Sequence, residues 1–361
     1  MSDAFDIRPP EALLAQAVAC HQGGQLAEAE SLYRTVLAND PRNADALHYL
    51  GLLGLQTGHV AAAEELLANA ARLAPGEPVL LNNWGIALAR LGRLGEARAR
   101  FETAVDRGPG YADALVNLAN VLADLGEHAT AENRYREAIA IAPGSAEAHN
   151  NLGRLLLARK RLPEAAASFE AALRAKPGHA LALNNLGNAL REQGRLDEAC
   201  RCYRDALGLR PDLVEAASNL LVALGADPAL SAGELFEAHR DIAARFEQPM
   251  TAMAPATFAP RLPGRLRVGY VSADFRAHAV SAFVAALLER HDRSKVEVTA
   301  YYNAFVEDEV TRRIRENVEH FVVVAGLTDP ELVQRVRNDG IDILVDLSGH
   351  TAGNRLAAFA R

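Results

Sequence analysis

Apolar and polar positions repeat along the first two thirds of the chain at a fixed interval of 34 residues. Within each unit, apolar or small residues fall at positions i, i+3, i+4 and i+7, the stripe of an amphipathic α-helix. A proline closes every unit, where it ends the preceding helix. These prolines are Pro41, Pro75, Pro109, Pro143, Pro177 and Pro211. The pattern predicts six two-helix units from about residue 10 to 213, followed by one more helix over 214–224.

The contents of each unit resemble the tetratricopeptide pattern. A Leu-Gly or similar pair in the first helix, such as Leu152-Gly153, is followed by a small residue and an aromatic residue in the second, such as Ala165 and Phe169. A small side chain in the first helix lets the second helix approach closely. Because one helix pair cannot bury both of its faces, we expect the units to stack into an all-α superhelix with a concave groove.

One polar column runs through five consecutive units. It consists of Asn83, Asn117, Asn151, Asn185 and Asn219. At 100° per residue this position lies roughly opposite the buried stripe, which places it on the concave surface. Asparagine does not favour helix interiors, and its amide can both donate to and accept from an extended peptide backbone. The column therefore predicts a peptide-binding ladder. The alternatives are that each Asn caps or bridges neighbouring helices, or is left from repeat duplication.

The chain changes character after residue 225. Ser231 and Glu234 form a capping-box pattern at the start of a helix predicted over 232–246, and the Pro-, Ala- and Met-containing stretch 248–263 is typical of a linker. Beyond it, strands alternate with helices, which predicts a parallel Rossmann-like sheet. The predicted strands are 266–272, 296–302, 321–324 and 341–347, and the predicted helices are 280–290, 308–317 and 331–339. We expect three parts: a repeat array over 10–225, a linker with a helix over 226–263, and a partial α/β lobe over 264–361.

Two loops follow the carboxyl ends of the first and last predicted strands, where active residues gather in such sheets. The first, 273–278, contains Asp274 and His278, and the second, 348–355, contains His350 and Thr351. A histidine with an unperturbed pKa near 6.5 suits proton transfer or orientation of a substrate. Asp274 could instead cap the following turn. Each of the four residues could also have a purely structural role.

These residues carry a further resemblance. The segments LRVGYVSADFRAHAVSAF and IDILVDLSGHTAGNRLAAFAR resemble the start of the catalytic region of protein O-GlcNAc transferases and SPINDLY-type enzymes, glycosyltransferase family 41. The repeats are similar to that family's N-terminal superhelix with its asparagine ladder. The resemblance implies a GT-B fold of two Rossmann-like lobes. It also implies inverting transfer of N-acetylglucosamine, or fucose in the SPINDLY branch, from a nucleotide sugar to Ser or Thr, with no cofactor and no required metal.

The same resemblance assigns roles to the loop residues. His278 corresponds to the histidine of the family's D-F-x-x-H motif and is the expected catalytic residue. Asp274, His350 and Thr351 are the expected lining of the acceptor and donor cleft. The sequence stops at Arg361, in what resembles the middle of the first lobe, so we expect the nucleotide-binding lobe to be missing and the chain to be inactive alone. UDP-GlcNAc is the expected donor of a full-length form.

Composition narrows the remaining choices. The 38 Lys and Arg against 46 Asp and Glu give a net charge of −8, which argues against nucleic acid as a partner. No apolar run approaches the ~20 residues of a membrane span, and three cysteines fit reduced thiols in the cytoplasm. The expected partners are extended polypeptides or proteins in the repeat groove, with a possible homodimer through the repeats. The alternative function is a tetratricopeptide scaffold for protein complexes. A chaperone adaptor is a weaker alternative, because the groove column is Asn and not Lys or Arg.

Overall fold

The computed structural model describes residues 9–247, 264–349 and 353–359. Within these ranges the chain forms helices throughout its first part and an α/β sheet in its last part. The expected fold class, a tetratricopeptide superhelix followed by a partial Rossmann-like lobe, is confirmed.

Six helix pairs and a seventh first helix form the repeat array, as the period predicted. The first helices are α1 (Pro10–Gln22), α3 (Ala44–Gln56), α5 (Pro78–Arg90), α7 (Ala112–Asp124), α9 (Ala146–Ala158), α11 (Ala180–Glu192) and α13 (Val214–Gly225). The second helices are α2 (Leu26–Asn39), α4 (Val60–Leu73), α6 (Leu94–Arg107), α8 (His128–Ile141), α10 (Leu162–Ala175) and α12 (Leu196–Leu209). Each of the six periodic prolines lies just beyond the end of a second helix, where its missing N–H breaks no helical hydrogen bond.

Close packing within a helix pair depends on glycine. A Cβ atom built on Gly153 would lie 2.6 Å from Cε1 of Phe169 on the partner helix. Phe169 is fully buried. Because real Cβ atoms do not approach an aromatic ring so closely, the ring fills the space that the missing side chain leaves. The small residue in the first helix therefore has the packing role that the sequence predicted.

The chain divides into two compact units, Met1–Asn185 and Leu186–Arg361. This division lies inside α11. A repeat in such an array packs mainly against its neighbours, so the array has no natural edge between one repeat and the next. In the first unit, successive first helices touch one another, from α1 through α9. The residues on their shared face thus form one continuous surface. The boundaries expected at 225 and 263 stay predictions.

The second unit contains the last repeat helices, α14 (Ala232–Glu247) and the sheet. Ser231 and Glu234 form the expected reciprocal cap: the Ser231 N–H donates to Oε2 of Glu234 at 2.9 Å, and the Glu234 N–H donates to Oγ of Ser231 at 3.3 Å. This cap satisfies donors that the first turn of a helix leaves unpaired.

Four parallel strands form the sheet in the order β3-β2-β1-β4. The strands are β1 (Leu266–Ser272), β2 (Val296–Tyr302), β3 (His320–Val323) and β4 (Ile343–Asp346), and the helices are α15 (Ala279–Arg290), α16 (Glu309–Glu316), α17 (Asp329–Asn338) and α18 (Leu356–Phe359). β4 is shorter than the predicted 341–347 because Ile341 lies in the turn that follows α17, where its N–H donates to the carbonyl of Val336. Since all strands are parallel, their carboxyl ends meet at one edge.

One inter-helix turn offers a stability test. Gly92, Gly126 and Gly194 adopt left-handed φ values, and Lys160, in the same frame, does so with φ 58°. A residue with a Cβ atom in this conformation destabilises the fold by about 1–2 kcal/mol relative to glycine. Glycine regains only a part of this, because it loses more conformational entropy on folding. We expect Lys160→Gly to raise the free energy of unfolding by about 0.5–1 kcal/mol in urea titrations. Gly126→Ala is the matched control and is expected to lower it. A Lys160→Gly variant no more stable than wild type would contradict the strain argument.

Candidate functional site

The loop after β1 carries the predicted catalytic residue. Strand β1 ends at Ser272, whose Oγ accepts the backbone N–H of Asp274 at 3.0 Å. Asp274 is buried, and its carboxylate faces the side chains of Arg276 and His278. The N-cap of α15 is His278 itself. The carboxylate of Asp274 is therefore directed at two cationic or polar side chains of its own loop.

His278 holds its imidazole in a defined orientation. Nδ1 accepts the backbone N–H of Val280 at 3.3 Å, and Oδ2 of Asp274 lies 3.7 Å from the same nitrogen. In the neutral ring this arrangement leaves the proton on Nε2, with two fifths of the side chain exposed. The ring can donate Nε2–H to a bound oxygen as it stands. In the other neutral tautomer, with the proton on Nδ1 and the ring turned so that Nδ1–H donates to Asp274, Nε2 would instead be a proton acceptor.

Two further contacts fix this loop. Oδ2 of Asp308 accepts the N–H of Ala277 at 2.6 Å, and Oδ1 caps α16 by accepting the N–H of Thr311 at 2.9 Å. These backbone donors, Ala277 first, hold the pKa of Asp308 below its usual value. The hydroxyl of Ser281 donates to the carbonyl of Asp274. Loop 273–278 is thus held from α15 and α16 as well as from its own strand.

The loop after β4 lies beside the first loop. Ser348 Oγ accepts the N–H of Ala273 at 3.4 Å, and a Cβ on Gly353 would lie 2.8 Å from Cβ of Ala273. Asn303, directly after β2, donates to the carbonyl of Gly353 at 2.8 Å and accepts from Arg355 at 3.2 Å. The carboxyl ends of β1, β2 and β4 therefore meet around these two loops. His350 and Thr351 lie outside the described residues, so their cleft role stays a prediction.

The asparagine column forms the second candidate site. All five side chains lie on first helices and are half-buried. Four of them, all in the first unit, donate Nδ2–H to a side chain of the preceding repeat. The acceptors are His48 for Asn83 at 2.7 Å, Asn82 for Asn117 at 2.9 Å, Asn120 for Asn151 at 3.2 Å and Asn150 for Asn185 at 3.0 Å. These side chains therefore bridge neighbouring helices, which the sequence analysis named as an alternative to peptide binding. These bonds leave one Nδ2 hydrogen of each amide for another acceptor, so peptide binding stays a prediction.

Sequence reasoning missed several of the residues that organise these sites. Asp308 and Asn303 come directly before α16 and directly after β2, and the rule of strand carboxyl ends would have drawn attention to Asn303. In the repeats, Asn82 and Asn150 directly precede the ladder residues Asn83 and Asn151. These Asn-Asn pairs indicate a second column of amides beside the ladder, which the sequence analysis did not consider.

Comparisons with known proteins agree with the repeat array and with the α/β lobe. Tetratricopeptide repeat models match residues 14–78, 77–144, 120–180, 150–214 and 184–244, and the glycosyl transferase family 41 model matches residues 247–361. The probable UDP-N-acetylglucosamine–peptide N-acetylglucosaminyltransferases SPINDLY and SEC of Arabidopsis thaliana are 38% and 35% identical over 133 and 150 residues. Those segments are 35% and 38% of this chain but only 14% and 15% of the relatives.

Solved structures give the same result at the level of the fold. A mutant of the O-GlcNAc transferase of Thermobaculum terrenum matches with a TM-score of 0.60 and 35% identity, over 69% of this chain and 48% of that one. The pilus biogenesis factor PilW matches with a TM-score of 0.54 at 21% identity, over 60% of this chain and 98% of that one, and so shares the repeat fold alone.

The tetratricopeptide repeat models together cover more than half of the chain, which therefore belongs to the tetratricopeptide repeat proteins. Its segment 247–361 is similar to glycosyltransferase family 41, and the chain is similar to the O-GlcNAc transferases and to SPINDLY. Among the helices described, none has the length and apolar character needed to cross a bilayer.

The acceptor at the end of one amide bridge can titrate. Burial lowers the pKa of His48, while the Asp45 carboxylate acts in the opposite direction. The unfolded chain takes up this proton near pH 6.5 and the folded chain only at lower pH, so the folded state loses stability as the pH falls from 6.5 toward the folded pKa.

We expect the free energy of unfolding to fall more steeply for wild type than for His48→Gln between pH 7 and pH 5. The difference in slope is at most about 1.4 kcal/mol per pH unit, the value for one proton. Urea unfolding at both pH values, followed by the fluorescence of Trp84, the single tryptophan, measures it. Equal slopes would show that His48 does not need to stay neutral.

Proposed function

We propose that this chain provides the acceptor-binding repeats and part of the first catalytic lobe of a protein O-glycosyltransferase. The donor is UDP-GlcNAc, the acceptors are Ser or Thr hydroxyls, and the first-helix surface of the repeats binds the acceptor polypeptide. Support comes from the His278 loop at the carboxyl edge of a parallel sheet, which lies in the segment that matches the glycosyl transferase family 41 model. The relatives of the chain are named as UDP-N-acetylglucosamine–peptide N-acetylglucosaminyltransferases. A cytoplasmic location and a homodimer through the repeats belong to the same proposal.

The chemistry proposed for His278 follows from its contacts. With Nδ1 directed at Val280 N–H, the neutral ring offers Nε2–H to an oxygen of donor or acceptor, which orients it. With Nδ1–H turned toward Asp274, Nε2 accepts the hydroxyl proton of the acceptor as its oxygen attacks the sugar. In that step the oxygen–carbon bond forms, the sugar–phosphate bond breaks and UDP leaves with the electron pair.

Variants of His278 test the catalytic half of the proposal. In the product of the complete reading frame, we expect His278→Ala to lower kcat/KM for UDP-GlcNAc by about 10²- to 10⁴-fold, the usual contribution of a positioned acid–base group. Transfer of radiolabelled GlcNAc to a Ser/Thr peptide measures it. The matched control is His320→Ala, an exposed histidine at the amino end of β3 that pairs with Glu297.

Normal turnover by His278→Ala would remove the catalytic assignment. Absence of transfer by the complete product, together with retained peptide binding, would favour the scaffold alternative.

Variants of the asparagine column test the recognition half. We expect the triple variant Asn83→Ala, Asn117→Ala and Asn185→Ala to weaken binding of an extended peptide at least about tenfold, because it removes three amides worth about 0.5–1.5 kcal/mol each. The probe is a fluorescein-labelled peptide of about 15 residues, made of Ala, Ser and Thr with blocked ends, followed by fluorescence anisotropy; at ~3.3 Å per residue it spans several repeats.

The matched control removes three exposed hydroxyls from second helices. It combines Thr35→Ala, Thr103→Ala and Ser168→Ala, each of which bonds only to a carbonyl one turn earlier. Thermal unfolding of each variant establishes the folded fraction. A triple asparagine variant that is folded and binds as wild type would contradict the ladder.

A further inference from the structure

A second polar column lies directly behind the asparagine ladder. It occupies the position before each ladder residue, together with the same position one repeat earlier, and it is buried throughout. Its members are His48, Asn82, Val116, Asn150, Asn184 and Ser218, each less than 9% exposed. Five of the six are polar, although a buried polar group destabilises the fold unless it is hydrogen-bonded. This frame therefore serves a purpose other than apolar packing.

In the first half of the array this column joins the ladder into one directional chain of hydrogen bonds. Asn117 donates to Oδ1 of Asn82 at 2.9 Å, and Asn82 donates to Oδ1 of Asn83 at 3.3 Å. Asn83 donates to Nε2 of His48 at 2.7 Å, where the chain ends on an acceptor. Turning any one amide over would bring two donors or two acceptors together, so each amide has one preferred orientation.

A second chain follows and runs in the same direction. Asn185 donates to Oδ1 of Asn150 at 3.0 Å, and Asn150 donates to Oδ1 of Asn151 at 3.3 Å. Asn151 then donates to Oδ1 of Asn120 at 3.2 Å, which also accepts the hydroxyl of Tyr135 at 2.6 Å.

The two chains are separate because of a single residue. In the frame of the pattern, Asn151 should donate to position 116, as Asn117 does to Asn82 and Asn185 to Asn150. Val116 stands there and has no side-chain acceptor, so Asn151 turns to Asn120 instead. The ladder in the first unit is thus divided into two pairs, Asn83 with Asn117 and Asn151 with Asn185.

We infer that Asn82 and Asn150 are positioning residues for peptide binding, each holding one pair of ladder amides in the orientation that a peptide backbone meets. A half-exposed amide without such a partner would rotate freely and lose that freedom on binding, which weakens affinity. The bound chain therefore contacts two preoriented amide pairs with a break between them. This inference rests on the proposed peptide binding.

The repeats themselves supply matched variants. Asn82→Val with Asn150→Val introduces the residue that stands at 116 in the same frame, and it removes the acceptors of Asn117 and Asn185. Asn82→His with Asn150→His introduces the residue found at 48, which keeps an acceptor nitrogen. Val116→Ala alters packing in the same column and removes no hydrogen bond from either chain of amides.

The experiment measures anisotropy of the labelled Ala/Ser/Thr peptide at about pH 7.5, where histidine is neutral, with each full-length variant. We expect the double valine variant to bind about three- to tenfold more weakly, the range for loss of one or two hydrogen bonds. We expect the double histidine variant and Val116→Ala to remain within about twofold of wild type. Thermal unfolding and spectra of ¹⁵N-labelled asparagine side chains, recorded without peptide, establish that each variant is folded and whether the ladder amides have moved.

The outcomes separate this inference from the proposed function. If the folded valine variant binds as wild type while the ladder variant Asn83→Ala, Asn117→Ala and Asn185→Ala does not, Asn82 and Asn150 are structural only and the ladder stands. If the histidine variant fails to restore binding, an acceptor at this position is not what matters, and the inference is wrong. If wild type does not bind the peptide, the proposed recognition and this inference both fall.

Discussion

Stacking of helix pairs is the constraint on which the rest of the repeat array depends. A single pair leaves apolar surface open on both sides, so each pair is stable only against its neighbours. Within a pair, the two helices approach closely where the first carries glycine and a ring of the second fills the space, as at Gly153 and Phe169. The same stacking brings the first helices into contact with one another, and polar side chains between them must then be hydrogen-bonded. The amide chains are the consequence, since they satisfy polar groups that the stacking buries.

The architecture was predictable because it is set by periodic features. Helix pairs and the extra helix followed from a 34-residue interval, and the parallel sheet followed from alternating strand and helix patterns. Ends were less predictable, as at β4, because an apolar residue such as Ile341 fits a strand and a helix terminus equally well. The left-handed turn at Lys160 was not predicted, because lysine does not favour that conformation. Only its position in the same frame as Gly126 and Gly194 indicates it.

The sites were predictable in position but not in detail. Strand carboxyl ends correctly brought the loops at 273–278 and 348–349 together, through Ala273 and Ser348. The anchor at Asp308 could not be derived, because it depends on how α16 packs beside a loop 31 residues earlier in the chain. The asparagine column was visible as a repeat, whereas its hydrogen-bond partners were not. Bridging and recognition were set against each other as alternatives, although an amide with two N–H groups can do both.

The two sites share one physical principle, which is that a polar group becomes specific when its other hydrogen bonds are already made. At His278 the capping bond to Val280 fixes which ring nitrogen carries the proton, and Asp274 offers the alternative partner. In the repeats, Asn82 and Asn150 fix which face of each ladder amide is left for a ligand. An unsupported histidine or asparagine would present an average of orientations. The residues behind the surface therefore determine which hydrogen-bonding groups the surface presents, and in the repeats Val116 separates two chains of amide hydrogen bonds.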